Sequence, residues 1–204
     1  GAIVTPQAAE KIYRSTGSDA EVEVHIRAAP NAWLEWLPQE TILFDTARLR
    51  RTTFVEAAPG ARVLAGEILV FGRLARGERF ATGLVHDAWE VRRNDTLIWA
   101  DALRMEGDID AVRDHPAGLA GATAAATAIF VADDAADGLA VARQILATSP
   151  DTVRCGVSLV NGILVMRWLS EDAQILRRIF GEFWAAFRAE VGTLPGVLPR
   201  IWHV

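Results

Sequence analysis

The sequence predicts a mainly β protein with an α+β C-terminal part, and three observations carry that prediction. Between residues 20 and 105, strand-length apolar runs recur at intervals of about ten residues, with turn residues between them. Two later apolar runs meet at Asn161-Gly162, the strongest short hairpin signal in the chain. Beyond Ser170, Ile175, Ile179, Phe183 and Phe187 recur at every fourth position, with Leu176, Phe180 and Trp184 beside them, the stripe of an amphipathic helix.

Taken in order, Glu21 to Ala28 alternates Val22, Val24 and Ile26 against Glu23, His25 and Arg27, the period of a half-buried strand. Ala29-Pro30-Asn31 turns the chain into a strand that runs from Ala32 to the segment Glu35-Trp36-Leu37-Pro38-Gln39-Glu40. Pro38 lacks a backbone N–H, so it belongs at a strand end or bend, with Glu35 and Glu40 flanking the break. Strands follow over Thr52 to Ala57, Arg62 to Phe71, Phe80 to Val91 and Leu97 to Met105, separated by Pro59-Gly60, Gly72, Gly77 and Asn94-Asp95. After Gly107 the pattern changes. Asp108 to Thr123 reads as loop, Thr127 to Val131 as a strand, and Asp134 to Ala147 as a helix behind an Asp cap. The hairpin of Thr152 to Val160 and Ile163 to Leu169 leads to the last helix, capped by Ser170 and stopped at Gly192. Leu194 to Val204 reads as an extended tail. The expected organisation is a β-rich body over 1–107, a connecting loop over 108–126, and a strand–helix–hairpin–helix part over 127–204 packed on the body, with helices near 134–147 and 171–191.

Composition narrows the class of function. Half of the 204 residues are hydrophobic and seven are tryptophan, enough for a substantial core. The net charge of −5 and the lack of a basic run argue against a nucleic-acid partner. Pro116 to Ala132 is the longest uncharged stretch, but it is rich in Ala, Gly and Thr and too short to span a membrane. The single cysteine, Cys155, precludes an internal disulfide and fits a reducing compartment. Gly1 opens directly on an apolar run, with no signal peptide and no initiating Met, so upstream sequence is expected.

The usual enzymatic signatures are missing: there is no Gly-x-Ser-x-Gly elbow, no P-loop and no Gly-x-Gly-x-x-Gly. His25, His86, His115 and His203 share no spacing suited to a structural metal site. What remains is acids within apolar strands: Glu67 in Ala65-Gly66-Glu67-Ile68-Leu69-Val70, Asp87 and Glu90 around Trp89, and Asp101 after Ile98-Trp99-Ala100. Such acids face either solvent or a polar interior, and Arg73 is a candidate internal partner for one of them.

At this point a family resemblance appears. Lys11-Ile12-Tyr13-Arg14-Ser15, the run Leu34-Glu35-Trp36-Leu37-Pro38-Gln39-Glu40-Thr41-Ile42, Glu67-Ile68-Leu69 leading into Phe71-Gly72-Arg73, Gly77-Glu78, and the ending Leu198-Pro199-Arg200-Ile201-Trp202 resemble the urease accessory protein UreD family, called UreH in some bacteria. The order and spacing agree over nearly the whole chain. Members normally carry further N-terminal sequence, so the chain resembles an N-terminally incomplete member, and Thr5-Pro6-Gln7-Ala8-Ala9 departs from the family's Pro-Gly-Ala version.

The resemblance implies a fold of stacked, β-helix-like sheets with two helices, and a non-catalytic cytoplasmic scaffold. That scaffold would bind apo-urease and UreF in a hetero-oligomer, recruit the GTPase UreG through UreF, and help nickel reach the urease active site. It implies no permanently bound cofactor, only transient Ni²⁺ in an internal polar tunnel. By the same resemblance Glu67 occupies a tunnel acid position, with Asp101 close to a second. Glu35, Trp36, Pro38, Gln39, Glu40, Arg73, Arg200 and Trp202 are its structural or partner-facing motif residues. Two alternatives stay open: a carboxylate-pair hydrolase using Glu35 and Glu40, whose acids would face one cleft about 5–10 Å apart, and a purely structural interaction module.

Overall fold

A computed structural model describes residues 1–203. Its first half is a two-sheet solenoid in which each turn of the chain lays strand into one sheet and then into the other. The first rung is β1 (Ala2–Val4), β2 (Glu10–Ile12) and β3 (Ala20–Ala28); the second is β4 (Trp33–Trp36), β5 (Thr41–Leu43) and β6 (Arg48–Ala57). The third is β7 (Arg62–Arg73), the short β8 (Glu78–Arg79) and β9 (Thr82–Arg93). Rungs stack in parallel: β1 on β4 on β7, β2 on β5 on β7, and β3 on β6 on β9. This is the expected β-helix-like stacking, now visible as a register.

β10 (Thr96–Asp108) folds back antiparallel on β9 and completes a four-stranded sheet. Residues 108–123, expected as loop, instead contain a short helix α1 (Ile109–Asp114), because the Asp108 carboxylate accepts from Ala111 N at 3.0 Å and starts a turn. β11 (Ala124–Val131) then runs antiparallel to β7 over eight residues. α2 (Gly138–Leu146) leads to the hairpin β12 (Val153–Val160) and β13 (Ile163–Ser170), and α3 (Ala173–Gly192) ends the regular structure. The large sheet has the order β1-β4-β7-β11-β13-β12, so strands from before residue 107 and after residue 127 share one sheet. A 3₁₀ turn at Arg200–His203 replaces the extended tail expected there, whose final residue, Val204, lies outside the described residues.

Two cap assignments shift. Asp134 precedes a 3₁₀ turn at Ala135–Asp137 and makes no side-chain cap bond. Asp172, not Ser170, caps α3, accepting from Gln174 N at 2.8 Å and Ile175 N at 3.0 Å, while Ser170 Oγ accepts from Asp172 N. The carboxylate wins because it reaches two orphan donors of the first turn at once.

β7 is apolar along almost its whole length because both its faces are covered. Leu64, Ile68 and Val70 pack with the aromatic stripe of α3 and with α2 on the outer side. Val63, Ala65, Leu69 and Phe71 face the four-stranded sheet. The result is three layers: helices, large sheet, small sheet. Among the described residues no helix is long and apolar enough to cross a membrane.

Candidate functional site

The Pro38 segment opens the large sheet. Trp36 pairs with Ala65 and Thr41 with Leu69, so residues 37–40 span the same gap as residues 66–68 of unbroken β7. One rung further out, Val4 pairs with Trp36 and Glu10 with Thr41, so residues 5–9 span it. The number of residues in the break therefore grows from three to four to five, rung by rung. Pro6 and Pro38, which lack the N–H a ladder needs, sit within the two interrupted rungs. A cleft of about 270 Å³ occupies this opening, walled by Pro6, Ala8, Trp36 and Pro38, with Glu67 at its inner end.

Inside lies a buried charge cluster. The Arg51 guanidinium comes from the four-stranded sheet; its Nε donates to Asp87 Oδ1 at 3.0 Å and Nη2 to Glu67 Oε2 at 3.0 Å. Nη2 also contacts Asp87 Oδ2. Its Nη1 donates to Thr41 Oγ1 at 2.9 Å, and Thr41 in turn donates to Glu10 Oε2 at 3.3 Å. Glu10 is the half-exposed member, 3.9 Å from Arg51 Nη1. Burial first, and the adjacent Asp87 carboxylate second, hold Glu67 well above the usual carboxylate range, against the pull of Arg51. Burial pushes the Arg51 pKa down, but Asp87 and Glu67 outweigh it and leave that pKa above its ordinary value. Two acids therefore share one guanidinium in a dry interior, and both burial and the neighbouring carboxylate favour the neutral form of Glu67.

The cluster belongs to a polar stratum between the sheets. In the large sheet, Glu67 pairs across with Thr127 of β11, and Thr127 with Arg167 of β13. In the small sheet, Arg51 pairs with Asp87, and the neighbouring row is Thr53, Trp89 and Asp101. The buried Trp89 indole N–H lies beside the Glu67 carboxyl without forming a hydrogen bond among the described residues, and it opposes only weakly the upward shift of that carboxyl. Arg167 Nη2 then donates to Asp101 Oδ2 at 2.6 Å at the partly exposed far side. Apolar clusters flank this stratum, Val63, Ala65 and Val91 on one side and Leu69, Phe71 and Val85 on the other. Glu67 thus stands in its interior and Asp101 at its far margin.

The other motif residues do different work. Glu35 is buried to 1% exposure and accepts from Trp33 Nε1 at 2.8 Å, Trp184 Nε1 at 2.7 Å, and Arg188 Nε and Nη2 at 2.9–3.0 Å. Glu40 pairs instead with Arg177 at 3.0 Å, and Arg177 Nη2 also donates to Gln39 Oε1 and to the Trp202 carbonyl. Glu35 and Glu40 therefore serve two separate arginines and do not face each other across an open cleft. Gln39 donates to the Ile201 carbonyl, and the Trp202 ring stacks on Phe180 beneath the Arg177 guanidinium, so the Leu-Pro-Gln-Glu motif and the C-terminal motif meet at one seam. Arg200 is exposed. Arg73, expected as an internal partner for a strand acid, pairs with Glu78 near the surface and lies over the Phe44 ring at 4.0 Å. Arg51 takes the internal role.

Arg51 and the inward position of Asp87 are what the sequence reasoning missed. The signal was present: Leu49, Arg51, Thr53 and Val55 share one strand face, and Val85, Asp87, Trp89 and Val91 another. Among the described residues no group of three His, Cys, Asp or Glu side chains is arranged to hold a metal ion. The oxygens gathered around the Arg51 guanidinium are those of two carboxylates and one hydroxyl.

Comparison with known proteins gives a consistent answer. A family model described as UreD urease accessory protein matches residues 1–203. The chain is 46% identical over 205 residues to a urease accessory protein UreD of Magnetococcus marinus, covering 99% of this chain and 71% of that protein. It is 44% identical to the UreD proteins of Azorhizobium caulinodans, covering 98% of this chain and 71% of the relative, and of Xanthobacter autotrophicus, covering 98% and 66%. With a whole-length family match and relatives at this level of identity, the chain belongs to the UreD urease accessory protein family.

Proposed function

We propose that this chain acts in urease maturation as a non-catalytic cytoplasmic scaffold that holds apo-urease and UreF, reaches UreG through UreF, and passes Ni²⁺ along the polar stratum between its sheets. The observation that supports the metal route is the wedge-shaped cleft ending at Glu67, followed by polar residues as far as Asp101 and flanked by apolar side chains. A route must bind its ion weakly and repeatedly, since a tight site would trap it. Oxygen donors are weaker partners for Ni²⁺ than grouped imidazoles or thiolates, so the residues present suit transfer over storage. The donors Glu67 and Asp87 inside, with Glu10 at one end and Asp101 at the other, provide successive contacts for a cargo ion.

The test is Glu67→Ala in a urease activation assay, with the nickel content of urease and the recovery of UreF by pull-down measured in parallel. The expected result is intact assembly with reduced nickel incorporation. Intact assembly with unchanged incorporation would remove Glu67 from any route and leave the chain as an interaction module.

A further inference from the structure

Arg48, Arg50 and Arg51 lie together on β6, yet only one of them turns inward. Arg48 and Arg50 both pair with Asp19 on the outer side, each at 2.5 Å, whereas Arg51 is buried at 7% exposure among Asp87, Glu67 and Thr41. An arginine keeps its charge under all physiological conditions, so this position is occupied by a cation whenever the side chain stays in place. Without it, two acids in a low-dielectric interior would face each other unpaired. Arg51 is also placed to leave. Its Nη1 already approaches the half-exposed carboxylate of Glu10 at the cleft wall, and Thr41 Oγ1 bridges the two.

We infer that Arg51 is the internal competitor of the cargo ion: its guanidinium holds the place between Glu67 and Asp87 that a divalent cation would take, and yields by turning toward Glu10. This rests on the proposed metal route. It explains how acids can line a route without becoming a trap. An entering ion must displace charge-assisted hydrogen bonds already made by Arg51, and on leaving it is replaced by the same side chain. The net affinity is the difference between two cations for one set of oxygens. The ligand class is a divalent cation that accepts carboxylate and hydroxyl donors.

The experiment is Ni²⁺ titration of the purified full chain, read by calorimetry and by quenching of tryptophan fluorescence. Trp36 at the cleft wall and Trp89 beside the acids serve as reporters. Wild type is compared with Arg51→Lys, Arg51→Gln and the double variant Glu67→Gln/Asp87→Asn, each first shown to unfold cooperatively. Removing a unit charge in contact with the site is expected to raise Ni²⁺ affinity by about tenfold or more in Arg51→Gln. Arg51→Lys keeps the charge on a head that cannot grip both acids, and a rise of about threefold is expected. The Lys variant carries the test if the Gln variant does not fold. The double variant is expected to lose the quenching. If wild-type binding depends on Glu67 and Asp87 but Arg51→Lys binds no more tightly, the competitor role is overturned and the metal route stands. If binding is indifferent to Glu67 and Asp87, both are overturned.

Discussion

Replacing Glu35 by Ala tests the energetics of the seam between α3 and the solenoid. Glu35 is 1% exposed and its two oxygens accept from two indole N–H groups and from Nε and Nη2 of Arg188. Arg188 also donates from Nη1 to the carbonyls of Pro195 and Val197, so the same guanidinium ties the tail to the helix. Truncating the carboxylate leaves a buried guanidinium without its counter-ion, a loss of about 3–5 kcal/mol when one partner of a buried pair is removed. Each orphaned indole N–H adds a desolvation cost of about 1 kcal/mol or more, although water entering the vacated space offsets part of it. With the entering water cancelling most of the indole cost, the middle of the ion-pair range, about 4 kcal/mol, corresponds to a fall in Tm of about 8–16 °C for a chain of this size. Urea unfolding followed by tryptophan fluorescence measures it, because Trp33 and Trp184 are direct partners of the carboxylate. The solvent-facing pair Arg178–Glu182 provides the control: Glu182→Ala is expected to cost less than about 0.5 kcal/mol. A Glu35→Ala loss below about 1 kcal/mol would refute the reasoning, since it would mean that the pair adds little once its own desolvation is counted.

Two further outcomes follow from the same geometry. Because the folded pKa of Glu67 is raised, its contribution is complete below the unfolded value near 4.5 and is lost as pH rises through the folded value. In that interval wild type is expected to lose about 1.4 kcal/mol per pH unit relative to Glu67→Gln, which cannot ionise; parallel stability-versus-pH curves would show that Glu67 is not held protonated. Gly66→Ala places a methyl carbon 2.8 Å from Phe180 Cζ and 3.0 Å from Trp184 Cζ3, too close without moving α3. It is expected to destabilise by about 1–3 kcal/mol, and an unchanged urea midpoint would show that α3 gives way freely.

Periodicity located most strands of the fold because their alternation is a local property. The run Val22, Val24, Ile26 and the hairpin at Asn161-Gly162 appear where the residues place them. The same holds for α3, whose stripe becomes the layer covering the large sheet. α1 was overlooked because its six residues carry too little pattern to distinguish a turn of helix from a loop. The Ser170 cap was misplaced by two residues because the choice between Ser170 and Asp172 depends on where the backbone leaves β13.

The candidate site divides along the same line. Glu67 stood out because it is an isolated charge in an apolar strand, and Pro38 because it cannot pair within a sheet. Arg51 did not, since no residue within a few positions of it shows which acids the packing brings to its side chain. Sequence alone determined most of the strands and the two longer helices, and which residues are chemically unusual within them, because those depend on neighbours a few positions away. Tertiary structure decided that Arg51, Glu67 and Asp87 are one group and that Arg73 is not part of it. That decision rests on the stacking of rungs, which places β6, β7 and β9 against one another with a register that no local signal encodes.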